Sequence, residues 1–407
     1  MTMAEKPRKL LIVERKLISN RGHHHTQISA LKSLFPGHQT YILAGDGYDG
    51  FLGAAVGTIS ARDMKLARLH AKLKYGTLKQ RFSARFSALL RGCLRLPVSA
   101  YGRKLAEVCT ELDIAAEDIV IIPTADLDSL ESAKELSEEL GALAPTIAVR
   151  FLSPMLGEKD DKVRALRFRQ ATQKLSPQLR LFTETEEMAR HLGSRFGVHV
   201  RGGFYMPCSI GFQKGDANIS ASRSPLRVGI FGAPRAEKGS HRITNIVRCV
   251  AEHQKLNASQ SIEFVVQGSA EDLSETGVYR GLSEFMGTKD GVVVSNRGDR
   301  LSPVEFEKLF RSVDIILLPY DVSVYALQGS GVIQDAVAAL KPIVHSKGMS
   351  MANFLNHGNA MAALGDEDFA QAIIEINQNS APFIGGAITA SRFFENHMKN
   401  FPAMFNR

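Results

Sequence analysis

Two short stretches of this chain place glycine turns, cations and an acid at the ends of apolar runs, where small-molecule chemistry is often done. In Asp314–Val344 the apolar run Ile315–Leu318 stops at Pro319, and the turn Gly329-Ser330-Gly331 opens a helical run carrying one acid, Asp335. Lys341-Pro342 ends that run, and Ile343-Val344 begins another apolar segment. The start of a helix presents N–H groups with no acceptor inside the helix, together with the positive end of its dipole, so phosphate binds well there. In an open parallel sheet the same place is the expected ligand crevice. A nucleotide-type ligand is the first hypothesis. The second stretch is Ile230–Gly239, IFGAPRAEKG, in which an apolar run reaches Gly232 and a loop bearing Arg235, Lys238 and Gly239 leads into a helical segment. Two cations with free amides suit a diphosphate, above all one leaving with growing negative charge. Surface loops often read G-x5-K-G, so this element gains weight from its recurrence with the Gly329–Asp335 turn in one half of the chain.

The elements that must position these residues alternate between strand and helix. Lys9–Val13, Gln39–Ala44, Ile119–Ile122, Thr146–Phe151 and Arg180–Thr183 read as strands. Helices are expected over Gln27–Phe35, Ser129–Leu140 and Glu184–Phe196, the last with Thr183 as N-cap and Glu186 at the reciprocal position. Residues 209–225 are polar and aperiodic and read as a linker. The alternation then restarts with strands Arg227–Phe231, Ile262–Gln267, Val292–Val294 and Ile315–Leu318 and a helix over Ile243–His253. The pattern predicts an α/β protein of two Rossmann-like, doubly wound parallel sheets, at 1–208 and 226–385. A last aromatic-rich helix within 386–407, set off by the Gly385-Gly386 turn, is expected to pack back on the first domain.

A length of 407 residues is too much for one ordinary core, and 44% apolar with 23% charged residues is ordinary globular composition. Four cysteines without close spacing match neither a zinc site nor a disulfide framework, and a reducing cytosol suits them. No apolar run approaches the ~20 residues that span a bilayer. The net charge of +8 is uneven: 62–104 holds twelve Lys/Arg against one acid, Asp63. Within it Leu66, Leu69 and Leu73, then Leu78, Phe82, Phe86 and Leu90, recur at helical steps, predicting two basic amphipathic helices broken near Gly76. Such helices suit an anionic membrane surface, which would place the protein peripherally on the inner face of the plasma membrane. The plainer alternative is a pair of core-packed helices with a basic outer face. Nucleic acid is not expected, because the segment lacks aromatics in a stacking arrangement.

Taken in order and spacing, these motifs resemble the GT-B glycosyltransferases, especially the large family-4 group that uses nucleotide-diphosphate sugars. Gly232-x5-Lys238-Gly239 resembles that family's G-R-L-x-x-x-K-G element, Asp314–Pro319 its "a-D-v-x-x-P" strand, and Gly331–Val344 its "G-l-x-x-E-A-x-A-x-G-x-P-v-v" helix and strand. The resemblance implies that Arg235 and Lys238 hold the donor diphosphate together with Gly232, Gly239 and the amides of Gly329, Ser330 and Gly331, while Asp335 accepts from the ribose. It implies a retaining, metal-independent hexosyltransferase without a cofactor, acting between a nucleotide-sugar donor and a glycan, lipid-linked or polysaccharide acceptor. Ala233 stands where the family has arginine, so Arg235 must substitute, and the first acid of the E-x7-E pair is replaced by Leu327 or Gln328. Donor sugar and stereochemistry therefore stay open.

On the acceptor side the loop after the first strand holds Gly22, His23, His24 and His25, one of which could bind acceptor or act as base near neutral pH. Adjacent side chains diverge on a regular element, so shared metal binding is not expected. Asp126 follows the Ile119–Ile122 strand and, with Asp128, is either a base or a helix cap. A nucleotide-sugar epimerase or hydrolase of the same fold, and a non-catalytic degenerate transferase acting as scaffold, are the rival readings. The sequence gives no oligomeric state.

Overall fold

A computed structural model describes residues 7–19, 23–90, 100–206, 209–213, 225–257, 261–298 and 301–405. It divides the chain into two compact units, one of Met1–Met206 with Asn400–Arg407 and one of Pro207–Lys399.

The first unit runs β1 (Lys9–Glu14), α1 (His23–Leu34), β2 (Gln39–Gly45), β3 (Ala55–Ile59), α2 (Ala61–Tyr75), α3 (Leu78–Leu90), α4 (Ala100–Glu111), β4 (Ile119–Ala125), α5 (Leu127–Leu140), β5 (Thr146–Phe151), α6 (Asp161–Thr172), β6 (Leu179–Thr183) and α7 (Glu186–Phe196). Its strands form one parallel sheet in the order β3-β2-β1-β4-β5-β6. The order reverses between β1 and β4, so a crevice opens at their carboxyl ends. Every residue of β1 and β5 is buried. Parallel strands covered on both faces read as unbroken apolar runs, and this is why they were visible in the sequence. Arg150, fully buried on β5, is held by Glu184 at 3.0 Å and by the carbonyl of Pro123. Phe401 and Phe405 join this core, packing on Phe35, Phe182 and Phe204.

The second unit runs β7 (Leu226–Ile230), α8 (Ile243–Asn257), β8 (Ile262–Gln267), β9 (Val292–Arg297), α9 (Pro303–Arg311), β10 (Ile315–Leu318), α10 (Val322–Tyr325), α11 (Gly331–Ala338), β11 (Ile343–Ser346), α12 (Ala352–Leu355), β12 (Ala360–Ala363), α13 (Asp366–Gln378) and α14 (Ser380–Lys399). The sheet order β12-β11-β10-β7-β8-β9 reverses between β7 and β10, whose ladder pairs Ile315 with Val228 and Ile316 with Gly229. Ile230, Val266, Ile315, Leu317 and Val344 share one core with Ile243, Val247 and Ile373 from α8 and α13.

The expected α/β architecture of two doubly wound parallel sheets is present, with some boundaries moved. Edge strands β3 and β12, both largely half-exposed, are short and rich in small residues and were not anticipated. Helix α1 begins at His23, so the histidine segment read as a loop forms its first turn. Thr185, not Thr183, caps α7, accepting from the Met188 N–H; the Thr183 hydroxyl donates instead to the Thr185 carbonyl. The Gly385-Gly386 pair lies inside α14, where a Cβ on Gly386 would come within 2.3 Å of the Gly358 carbonyl carbon. That helix packs on α11, α12 and α13 of the second unit, and only Asn400–Arg407 belongs to the first. The start of the expected linker is fastened: Gln213 N–H donates to the Ala338 carbonyl at 3.1 Å and Arg311 donates to the Gly211 carbonyl at 2.7 Å. Residues 214–224 lie outside the described residues, as do 91–99 of the basic segment.

Candidate active site

The loop after β7 is shaped by two glycines. Gly232 has φ +90°, a conformation that costs a side chain dearly, and its N–H donates to Gln267 Oε1 at 2.8 Å. A short turn, Ala236–Lys238, then brings Lys238 back over it: a Cβ on residue 232 would lie 2.3 Å from Lys238 Nζ. Gly239, at φ +68°, lies against the end of β10, where a Cβ would meet the Pro319 carbonyl oxygen at 1.9 Å. Since β7 and β10 are neighbours, this loop and the residues after Pro319 are stitched together, the Asp321 N–H donating to the Glu237 carbonyl at 2.9 Å.

Lys238 is half-buried with its ammonium 5.8 Å from the centre of the Tyr320 ring. Burial, then the charge of Arg235, push its pKa down to about 8. No ion pair joins it to a carboxylate among the described residues. Arg235 is more exposed and pairs with Glu237 at 3.3 Å, while its N–H donates to Ser240 Oγ. Tyr320 is itself buried, its phenol pKa raised by burial, and its hydroxyl lies beside that of Ser330. The Lys238 ammonium, the Tyr320 ring and the start of α11 thus follow one another along the carboxyl edge of the sheet.

At the start of α11, Ser330 is the N-cap residue, but its side chain caps nothing and its N–H points to Met351 Sδ at 3.1 Å. The N–H groups of Gly331 and Val332 meet no acceptor among the described residues, while Ile333 N–H closes on the Ser330 carbonyl. Asp335 lies deeper. Its Oδ1 accepts from the N–H groups of Ser209 and Ile210 at 2.8 and 2.9 Å, and burial raises its pKa to about 7.

In the first unit, the ends of β1 and β4 carry two paired carboxylates, Glu14 and Asp126. Glu14 is buried, with His24 Nδ1 3.6 Å from its Oε2 and the Lys16 N–H donating to Oε1 at 2.9 Å. Burial acts to raise the Glu14 carboxyl, but His24, Thr124 and that N–H outweigh it and hold its pKa below the usual value. Arg15 pairs with Asp126, which also caps α5 by accepting from the Ser129 N–H and hydroxyl. Burial would raise Asp126, yet Arg15 keeps it lowered. Asp128 is held by Arg167 at 2.6 Å, its pKa raised by burial and by Asp126. His25 meets the Phe51 ring edge-on at 6.1 Å. Gly22 and the side chain of His23 lie outside the described residues. Among the described residues no group of three or more His, Cys, Asp or Glu is arranged to hold a metal ion.

No protein-family model and no curated protein matches the sequence. Solved structures do match along nearly its whole length. An E. coli trehalose-6-phosphate structure bound with UDP-2-fluoro glucose superposes with a TM-score of 0.60 at 12% identity, covering 98% of each chain. Anabaena Alr3699/HepE in complex with UDP and glucose gives 0.60 at 13% identity, covering 98% of this chain and 99% of its own. A glycosyltransferase from Rickettsia africae gives 0.60 at 11%, covering 98% of each. The chain has the GT-B fold.

On this GT-B frame the structure brings together Gly232, Lys238, Gly239, Ser330 and Gly331, with Arg235 near Lys238 but engaged by Glu237. It separates Asp335 from them, because that carboxylate is spent on the backbone of 209–210. Asp126 is likewise engaged as a cap and ion-pair partner rather than open as a base. Glu14, Arg15, Gln267 and Tyr320 were missed as site residues. Glu14 and Arg15 were visible only as the charged pair ending the first apolar run, directly at a strand's carboxyl end.

Proposed function

We propose that this chain is a glycosyltransferase whose second unit holds a nucleotide-diphosphate sugar. The observation that carries the reading is the half-buried Lys238 ammonium, which has no carboxylate partner among the described residues. It stands at the switch point of a parallel sheet, with Tyr320 leading from it to the open N–H groups of Gly331 and Val332. Proteins of the same fold bind UDP, as HepE does with UDP and glucose, which supports a nucleotide donor.

In the transfer, the bond from the anomeric carbon to the diphosphate oxygen breaks while the acceptor oxygen bonds to that carbon, and negative charge grows on the leaving diphosphate. Lys238 and the α11 amides are fixed donors aimed at that charge, and Arg235 adds to the field once a diphosphate competes with Glu237. These cations take the role a divalent metal would otherwise fill. The leaving phosphate can receive the acceptor proton in a retaining reaction. The acceptor is a glycan or lipid-linked sugar taken up by the first unit, with His24, braced by Glu14, as its polar contact.

A thermal-shift panel of nucleotide-diphosphate sugars tests the reading, because a ligand raises stability with its occupancy. At least one UDP-, GDP- or related sugar should raise the melting temperature of the native chain and fail to do so for Lys238→Ala. A flat panel would sink the proposal. Sugar release or isomerisation from the stabilising donor without any acceptor would instead favour the epimerase or hydrolase reading.

A further inference from the structure

Helices α2 and α3 form the basic hairpin broken at Gly76, and their packing reverses what an amphipathic core helix would do. Among the described side chains of α3, those buried against the unit are small, Ala84 and Ala88 at 3% and 0% exposure. Three of its large apolar residues point the other way. Leu78, Phe82 and Phe86 are 87%, 78% and 61% exposed. Spaced four apart, they form one stripe along the outer face. Leu78, Phe82 and Phe86 are therefore not the core contacts of α3.

The surroundings of the stripe are cationic. Lys79, Arg81 and Arg85 are exposed on α3, which contains no acid, and Lys65, Lys72 and Lys74 are exposed on α2. Arg81 also donates to the Gly76 and Lys74 carbonyls, tying α3 to the end of α2. A soluble surface rarely leaves such a stripe uncovered unless something binds it. A second copy of the chain would bring the same cations against these, so self-association is opposed by charge. The stripe lies along the outer face of one basic helix, the arrangement of an element that lies in a membrane interface.

We propose that α3 docks this protein on an anionic lipid bilayer. Leu78, Phe82 and Phe86 enter the boundary between headgroups and acyl chains, and Lys74, Lys79 and Arg85 contact lipid phosphates. Apolar insertion and charge act together, each near-surface cation contributing roughly 1 kcal/mol. The proposal needs neither donor nor acceptor, so its test is independent of the glycosyltransferase reading.

The chain contains no tryptophan, so Phe82→Trp gives a single fluorescent reporter at the centre of the stripe. Vesicles of phosphatidylglycerol and phosphatidylcholine should shift its emission to the blue, and vesicles of phosphatidylcholine alone should not. In sedimentation with the mixed vesicles at low salt, the triple variant Leu78→Ser/Phe82→Ser/Phe86→Ser should bind about tenfold more weakly or worse. Its melting temperature should hold, because the three positions are exposed. An unshifted emission would overturn the proposal, and so would a triple variant that sediments like the native chain. A dimer formed without vesicles and abolished by the triple variant would also overturn it, assigning the stripe to a second copy.

Discussion

Lys238 Nζ occupies the space that a side chain on residue 232 would need, 2.3 Å from an ideal Cβ there. The relationship explains why a glycine at positive φ and a lysine six positions later belong to one device: the absent side chain lets the ammonium sit over the backbone at the mouth of β7. Lys238→Ala should therefore leave the fold intact, and even steady it, because it removes a half-buried cation that has no carboxylate ion-pair partner among the described residues. Turnover of a donor found by thermal shift should fall on the order of 10²–10³-fold, the usual loss for one transition-state charge contact. Near-normal turnover in this variant would remove the centre of the mechanism.

The same lysine sets a pH limit. Its pKa is lowered to about 8, chiefly by burial, so the charged form is abundant below that pH and drains away above it. A bound diphosphate favours the ammonium and moves the pKa back up. Donor affinity should consequently be level from pH 6 to 7 and fall about tenfold for each further pH unit well above 8. Titration calorimetry at several pH values reads this directly, with proton uptake on binding growing through pH 8 and larger above it. Affinity unchanged to pH 10 would show that the ammonium does not meet the donor.

Gly239 offers a prediction about stability. Its φ of +68° and the Pro319 carbonyl at 1.9 Å from an ideal Cβ leave no room for alanine. The clash is with backbone, which cannot rotate aside, and relief would require β7 and β10 to part at the switch point. Gly239→Ala should lower stability by about 2 kcal/mol or more. Gly37, by contrast, has nothing within 4 Å of its Cβ and no positive φ, so alanine there should be nearly neutral. Chemical denaturation of the two variants beside the native chain decides it, and equal midpoints would contradict the geometry.

How far the sequence showed these features depended on what each one rests on. The buried parallel strands were legible because both faces need apolar residues, and their runs gave β5, β8 and β10 with the boundaries observed. Edge strands β3 and β12 meet solvent, and their short runs, rich in small residues, do not stand out as buried strands do. The Gly232–Gly239 loop was legible because its glycines and cations stand at a strand end and recur with the Gly329–Asp335 turn in the same half of the chain. The fate of Asp335 was not, because it depends on where 209–210 falls in space. Leu340 makes the same point: it adopts φ +58°, where the resembled pattern has glycine, and nothing in the residue itself announces that conformation. The stripe on α3 was legible from its spacing, but whether Leu78, Phe82 and Phe86 face the core or solvent was not, since only packing shows that Ala84 and Ala88 take the buried side.

Asp335 separates a structural role from a ligand role. The carboxyl accepts two N–H groups through Oδ1, yet burial outweighs them and raises its pKa from 3.8 to about 7. Because the folded state holds this proton more tightly than the unfolded chain, folding is favoured at low pH and the advantage is lost as pH rises from about 4 to 7. The full span corresponds to roughly 4 kcal/mol at most. Asp335→Asn keeps an oxygen for Ser209 and Ile210 but cannot ionise. Its stability relative to the native chain should therefore rise with pH across that window and level off above pH 7, where the native carboxylate is charged and buried. Denaturant unfolding at pH 5 and pH 8 measures the difference. If the carboxylate acts only on the 209–210 backbone, the variant also keeps native donor affinity; a tenfold loss of that affinity with no stability difference between the two pH values would return Asp335 to the ribose.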